Sequence, residues 1–160
     1  MRIGVISDTH GHIIHTLAAA RLLESLEVAA VLHAGDIGSR EIPSLLKRWP
    51  THFVFGNCDP DHHDLQAAIA AAGLTCHNRF GDFSLAERRI ALLHSDDAKL
   101  FRSVCTSGDY DLVCYGHTHQ AEQHLAGKTL ILNPGALYRA NPHTIAIVDL
   151  KSMEATIVPL

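Results

Sequence analysis

The sequence lacks both a surplus of positive charge and a long apolar run. Its 17 acidic and 13 basic residues give a formal net charge of -4, which excludes a broad basic surface for extended nucleic acid and a polybasic membrane anchor. No stretch approaches the roughly 18 apolar residues of a spanning helix, and the apolar residues before Asp8 are too few for a secretory signal. We therefore expect a cytoplasmic protein without a membrane partner.

Paired cysteines, repeats and linkers are also missing. The four cysteines lie far apart without a C-x-x-C pair, which argues against a disulfide framework in a reducing compartment. We expect Cys76, Cys105 and Cys114 to pack as small buried side chains. No low-complexity tract interrupts the 160 residues, so the chain is predicted to form a single domain, residues 1–160.

Apolar runs alternate with amphipathic segments along the first half of the chain. The predicted strands and helices are, in order, 2–6, about 12–26, 29–34, about 40–48, 52–55 and about 61–72. This alternation is typical of βαβ units in a mainly parallel sheet. The later elements are a hairpin (82–86 and 89–93), a helix (97–105), a buried strand (111–116) and short antiparallel strands that turn at Gly127 and Ser152. The fold class is therefore α/β, and the second half is expected to form a sheet that packs on the first.

Five of the predicted strands are followed directly by side chains that bind metals. These side chains are Asp8, His10, Asp36, Asn57, His94, His117 and His119. Because the carboxyl ends of strands in an α/β sheet border one crevice, the seven can converge there. Within the Asp8–His10 and His117–His119 pairs, an extended backbone would point both side chains the same way. Histidine is also abundant, at 13 of 160 residues, which favours metal or acid–base chemistry.

Seven ligands exceed the four that a tetrahedral zinc ion takes, and thiolates are not prominent among them. Two divalent ions that share one carboxylate fit better. With two aspartates and a bridging hydroxide they leave a net charge of about +1, which attracts phosphate. Two such ions about 3.5–4 Å apart clamp the attacking and leaving oxygens of an in-line displacement at phosphorus. The sequence therefore predicts a binuclear metal centre that hydrolyses phosphoesters.

Five motifs and a closing turn occur in an order that resembles the calcineurin-like metallophosphoesterase superfamily. They are DTH (8–10), GD (35–36), GNCD (56–59), the histidine of LLHS (92–95), GHTH (116–119) and NPGA (133–136). The resemblance runs from Met1 to about Asp149, and the compact length resembles the small prokaryotic phosphodiesterase branch. It implies one metallophosphoesterase domain, built as a two-sheet β-sandwich flanked by helices in α-β-β-α layers.

The resemblance also implies roles for the ligands. One metal would bind Asp8, His10, Asp36 and His119, and the other would bind Asp36, Asn57, His94 and His117. Asp36 would bridge the two ions, and Asp36, Asn57 and His94 would act in catalysis by holding the hydroxide that attacks phosphorus. Mn²⁺ is the implied ion, although Fe, Zn, Co or Ni also suit mixed nitrogen and oxygen ligands.

Two positions depart from the family pattern. Cys58 stands where many larger relatives carry a histidine that protonates the leaving group; it could be structural, a metal contact or an acid, and without a dedicated acid we expect a preference for good leaving groups. The adjacent Asp59 either orients the loop or relays a proton. Asp96 stands where relatives often carry a second histidine. It either faces the substrate phosphate and repels it or caps the helix 97–105.

Other histidines and one arginine have weaker assignments. His12, at the start of a helix, and Arg139 are candidate contacts for substrate phosphate. His33 lies inside a strand and is expected to be a buried, hydrogen-bonded side chain. His62 and His63 either line the cleft or occupy an exposed first helical turn.

The leading hypothesis is an enzyme, a phosphodiesterase or phosphatase, that acts on a small phosphoester. The alternative is a non-catalytic metal-binding scaffold for protein interactions, since a eukaryotic retromer subunit has the fold that the resemblance implies. A third hypothesis is a regulatory module that binds metal but does not catalyse hydrolysis. Extended nucleic acid is not an expected partner at this net charge, and a homo-oligomer is compatible with the sequence.

Overall fold

A computed structural model describes all residues, 1–160. The eleven strands are β1 (Arg2–Ile6), β2 (Ala30–His33), β3 (Thr51–Phe53), β4 (Thr75–Cys76), β5 (Phe80–Leu85), β6 (Arg88–Leu93), β7 (Leu112–Cys114), β8 (Glu122–Ala126), β9 (Thr129–Asn133), β10 (Thr144–Asp149) and β11 (Glu154–Pro159). The four helices are α1 (Ile13–Ser25), α2 (Ile42–Leu45), α3 (His62–Ala71) and α4 (Ala98–Thr106). None of these helices is long and apolar enough to cross a membrane.

The strands form two sheets. The first sheet has the order β11-β10-β1-β2-β3-β4, with β1 to β4 parallel, and the second has the order β5-β6-β7-β9-β8, with β6, β7 and β9 parallel. The central strands β1 and β2 consist mostly of consecutive apolar residues, because helices cover one face of the sheet and the second sheet covers the other.

Three apolar layers hold the sandwich together. Side chains such as Leu23 and Phe53 pack between the first sheet and helices α1 to α3. Val5 and Leu92 belong to the layer between the two sheets, and Val104 of α4 packs on the outer face of the second sheet. The prediction of a two-sheet sandwich in α-β-β-α layers is confirmed.

The tail differs from the prediction. The expectation that the second half of the chain forms its own sheet was wrong for β10 and β11, because β10 pairs antiparallel with β1 and extends the first sheet. The sequence TIAIVD of β10 is buried on both faces, so it needs an interior place in a sheet, and in this position it also covers the open edge of β1. Strand β4, only two residues long, was missed, and α2 is shorter than the predicted 40–48.

Candidate active site

The loops after β1, β2 and β3 meet the loops after β6 and β7 at one end of the sandwich. Backbone hydrogen bonds join them: the amide of Asp8 donates to the carbonyl of Gly35 at 3.0 Å, and the amide of His10 donates to the carbonyl of Asp36 at 2.9 Å. The amide of His117 donates to Oδ2 of Asp8 at 3.1 Å across the two sheets. The convergence of strand ends that the sequence predicted is therefore present.

Two buried carboxylates and three imidazoles face one another at this junction. The Oδ2 atom of Asp36 lies 3.4 Å from Nε2 of His10 and 3.3 Å from Nε2 of His94. The Oδ1 atom of Asp8 lies 3.1 Å from Nε2 of His119. Asp8, His10 and His119 form one group of potential ligands, and Asp8, Asp36 and His94 form another, with the ligand atoms of each group within 4.8 Å of one another.

Three of these ligand atoms are buried without a hydrogen-bond partner. They are Oδ1 of Asp8, Nε2 of His10 and Nε2 of His94. Such atoms are rare because an unpaired buried polar group costs free energy. The Nδ1 atom of His94 meets the carbonyl oxygen of Ala34 at 2.8 Å and therefore carries a proton, which orients Nε2 toward the carboxylates. A divalent cation would satisfy all three atoms, so these residues fit a metal.

The electrostatics of the site also favour a cation. Burial alone would raise the pKa of Asp36, but the His94 imidazole and the Cys58 amide hold that pKa below its ordinary value, so Asp36 is ionised. Burial lowers the pKa of His94, and the neighbouring Asp36 and Asp8 outweigh it and raise that pKa. Negative charge at this depth needs a positive partner, which a proton or a metal can supply.

The backbone of the site is strained. Asp8, His10, Asp36, His117 and His119 have φ angles of 54°, 43°, 52°, 76° and 58°, in the left-handed region that non-glycine residues seldom adopt. Such residues cluster at functional sites. The extended backbone assumed for the two pairs was therefore wrong. His119 approaches Asp8, whereas the ring of His117 lies against His94, with centroids 5.1 Å apart.

Asn57 and His117 lie on the exposed rim of the site. The side-chain amide of Asn57 donates to Sγ of Cys58 at 3.4 Å, and the amide of Cys58 donates to Oδ1 of Asp36 at 2.8 Å. Burial, and then the nearby Asp36, raise the pKa of the Cys58 thiol, so the thiol is protonated at neutral pH.

Asp59 fastens two of the site loops together. Its buried carboxylate accepts hydrogen bonds from the backbone amides of Gly38 at 2.8 Å, Gly56 at 2.9 Å and Ile37 at 3.1 Å. Ile37 and Gly38 follow Asp36 on one loop, and Gly56 precedes Asn57 on the other. Gly56 must lack a side chain, because a Cβ there would lie 2.0 Å from Oδ1 of Asp36.

The predicted phosphate contacts lie beside the imidazole cluster. The ring of Tyr138 is 5.4 Å from His10 and 5.7 Å from His12. His12 is the N-cap of α1, and its Nδ1 accepts from the amide of His15 at 3.4 Å. Arg139 is exposed, with its guanidinium 5.2 Å from the Tyr138 ring.

One interpretation of the sequence made Asp96 the N-cap of α4, and this was wrong. The cap is Asp97, whose Oδ1 accepts from the amides of Lys99 at 3.1 Å and Leu100 at 3.0 Å. Asp96 instead forms an ion pair with Arg79, and Arg79 also donates to the carbonyl of Gly56 at 3.3 Å. Arg79 was missed because it follows a strand too short to recognise and belongs to no motif.

Three further histidines singled out in the sequence, His33, His62 and His63, have ordinary structural surroundings. Nε2 of His33 pairs with the Thr9 hydroxyl at 3.0 Å, and its Nδ1 accepts from the amide of Gly35 at 3.3 Å. Burial lowers the pKa of His33 to about 3, so the prediction of a satisfied buried histidine is confirmed. His62 and His63 occupy the exposed first turn of α3.

Comparison with known proteins gives consistent matches along the chain. A family model described as the calcineurin-like phosphoesterase superfamily domain matches residues 1–153. A phosphodiesterase of Methanocaldococcus jannaschii is 27% identical over 161 residues, which cover 96% of each chain. A probable metallophosphoesterase of Methanothermobacter thermautotrophicus is 30% identical over 147 residues, covering 85% of this chain and 77% of that protein. A solved structure of a novel archaeal phosphodiesterase superposes with a TM-score of 0.93 at 25% identity over 100% of both chains.

Proposed function

Because the chain belongs to the calcineurin-like phosphoesterase superfamily, we propose that it is a metal-dependent phosphoesterase that acts mainly on small phosphodiesters. Two relatives named as a phosphodiesterase and a probable metallophosphoesterase support this reaction class. The observation that carries the proposal is the set of three buried ligand atoms, on Asp8, His10 and His94, that have no hydrogen-bond partner.

We assign the seven candidate ligands to two metal ions. One ion would be held by Asp8, His10, Asp36 and His119, and the other by Asp36, Asn57, His94 and His117. Asp36 suits the shared position because its carboxylate lies between His10 and His94. Mn²⁺ is the proposed ion, with Fe, Zn, Co and Ni as alternatives for this donor set. Divalent ions, when bound, neutralise phosphate charge and activate water for in-line attack.

The residues of the chain prepare the site for that chemistry. His94 is fixed by its hydrogen bond to Ala34, so its free nitrogen stays aimed at the metal position. Asp59 holds the loops of Asp36 and Asn57 in register, which makes it a positioning residue; its three amide partners leave it poorly placed to relay a proton.

Substrate binding and leaving-group departure involve other side chains. His12 and Arg139 are proposed to contact the substrate phosphate from the rim beside Tyr138. The pKa of the Cys58 thiol is raised in the metal-free protein, by burial and then by Asp36, and Cys58 stands where many larger relatives carry a histidine acid. We therefore expect the enzyme to favour esters with good leaving groups. No observation favours the non-catalytic metal-binding scaffold over the enzyme, and the two relatives are named for phosphoesterase activity.

The proposal is tested with metal-stripped protein titrated with Mn²⁺ and assayed on bis-p-nitrophenyl phosphate and p-nitrophenyl phosphate. We expect metal-dependent hydrolysis that is faster for the diester. In Asn57→Ala, metal affinity or activity should fall at least about 10- to 100-fold, the loss typical of changes in the shell outside the ligands. Gln66→Ala, which removes an exposed amide from α3, is the matched control and should be neutral. Absence of turnover with Mn²⁺, Ni²⁺, Co²⁺ and Zn²⁺, despite measured metal occupancy, would refute the enzyme and favour a metal-binding module.

A further inference from the structure

Arg79 and Asp96 form a charged bridge between the two loops that carry Asn57 and His94. One guanidinium nitrogen of Arg79 pairs with the Asp96 carboxylate, and the other donates to the carbonyl of Gly56, the residue before Asn57. Asp96 comes two residues after His94. The pair therefore joins the two loops that supply Asn57 and His94, two proposed ligands of the second metal ion.

The bridge still has donors for a ligand. The Arg79 side chain is 45% exposed and the Asp96 side chain 20% exposed. A guanidinium carries five N–H groups, and the hydrogen bonds to Asp96 and Gly56 use two of them. Arginine is well suited to phosphate oxygens because its planar fork matches their geometry.

We propose that the Arg79–Asp96 pair is a phosphate-recognition element that selects singly charged phosphodiesters over doubly charged phosphomonoesters. This inference rests on the proposed function, since it specifies which esters the same site accepts. It assigns substrate contact to Arg79 and makes Asp96 the residue that positions Arg79 and offsets its positive charge.

The selectivity follows from charge. The Asp96 carboxylate cancels the charge of Arg79, so the pair offers N–H donors with little net attraction for anions. A phosphodiester carries one negative charge, whereas a phosphate monoester carries about 1.5 to 2 at pH 7. The carboxylate therefore repels the monoester more strongly than the diester, because a phosphate in contact with Arg79 lies within about 8 Å of Asp96, one Debye length at physiological salt.

The test compares Asp96→Asn with the wild type. The amide keeps the shape of the side chain and one acceptor for Arg79 but removes the negative charge. We expect the ratio of kcat/KM for p-nitrophenyl phosphate to that for bis-p-nitrophenyl phosphate to rise about 3- to 10-fold, as one partly screened charge predicts. Arg79→Gln should raise KM for both esters more than it lowers kcat. An unchanged ratio in Asp96→Asn overturns the proposal.

Glu24→Gln is the matched charge control. Glu24 pairs with Arg48 at 3.0 Å near the far end of α1, and its loss changes the net charge by the same amount. The ester ratio should stay constant in this variant; an equal rise in Glu24→Gln and Asp96→Asn would assign the effect to net charge and overturn the proposal. Thermal unfolding of each variant checks that the fold is intact.

A binding measurement separates failure of this inference from failure of the proposed function. Calorimetric titration of the Mn²⁺-loaded protein with inorganic phosphate should show tighter binding to Asp96→Asn than to wild type, and weaker binding to Arg79→Gln. If the wild type hydrolyses neither ester, the proposed function fails, and this binding order still supports the pair as an anion-recognition element. Equal phosphate affinities in all three proteins overturn it.

Discussion

Replacement of Asp59 by asparagine tests whether one buried carboxylate holds the site loops together. Its Oδ2 atom accepts from the amides of Ile37 and Gly56, and its Oδ1 accepts from Gly38. Asparagine can place its oxygen where Oδ2 lies, which keeps the two hydrogen bonds from Ile37 and Gly56. The acceptor of both bonds is then neutral instead of charged. Its NH₂ group then faces the amide of Gly38, so that donor loses its partner.

The expected cost follows from these three contacts. Hydrogen bonds to a charged group contribute about 1.5–3 kcal/mol each and neutral ones about 1 kcal/mol, while an unsatisfied buried donor costs about 1–3 kcal/mol. Allowing for relaxation of the loop, we expect Asp59→Asn to lower the free energy of unfolding by about 2–4 kcal/mol. For a chain of this length, that corresponds to a fall in Tm of about 5–15 °C. Metal affinity should fall about 10- to 100-fold, because the loops that carry Asp36 and Asn57 are no longer held in their relative positions.

Urea unfolding of metal-stripped protein measures the stability change, and titration with Mn²⁺ measures the affinity. Asp61→Asn is a close control: the Asp61 side chain is exposed and caps α3 by accepting from the amide of Asp64 at 3.0 Å. Asparagine caps helices about as well as aspartate, so this variant should stay within about 0.5 kcal/mol of wild type. If Asp59→Asn is no less stable than Asp61→Asn, the positioning role is refuted.

Three further predictions concern pH, packing and metal. Burial, and then His77, lower the pKa of His52 to about 4. Below about pH 6.5 the unfolded chain therefore binds a proton at His52 that the folded protein does not bind. The free energy of unfolding falls as the pH drops from about 6.5 to 4. His52→Gln should remove about 1 kcal/mol of the stability difference between pH 7.5 and 5 in urea unfolding, after allowance for partial exposure; an unchanged difference contradicts this. Gly56→Ala places a Cβ 2.0 Å from the Asp36 carboxylate and should lower the free energy of unfolding by more than about 2 kcal/mol. In the control Gly73→Ala the new Cβ meets no atom within 4 Å, so the loss should be about 1 kcal/mol, from the positive φ. Equal losses of stability in thermal unfolding would refute the clash at Gly56. Mn²⁺ at 100 times its wild-type Kd should add about 2.7 kcal/mol per occupied site to the free energy of unfolding. The same gain in Asp36→Asn at that Mn²⁺ concentration would exclude this carboxylate as a ligand.

Several features of the protein could be read from local patterns. Alternating apolar runs predicted β1, β2, β3 and the β5–β6 hairpin, because the side-chain period and the turn residues are local properties. The polar residues after those strands predicted one shared site, because parallel strands end at the same edge of a sheet. Even the buried, hydrogen-bonded side chain of His33 followed from its place inside a strand.

Other features depend on contacts between distant parts of the chain. The pairing of β10 with β1 joins residues almost 150 positions apart, and no local pattern states which sheet an apolar strand will complete. Asp8 and His119 have left-handed backbone and approach each other across the two sheets, so the spacing within each motif alone suggested the wrong conformation. The Arg79–Asp96 pair forms only when the loops after β4 and β6 meet.

Local sequence was therefore enough to predict the chemistry of the site, since the types of candidate ligand and their positions after the strands are properties of consecutive residues. Folding was needed to show which candidate ligand atoms come close enough to share an ion, which carboxylate holds the loops and which cation pairs with Asp96. These contacts join residues that are far apart in the sequence, so they form only when several strands and loops have packed together.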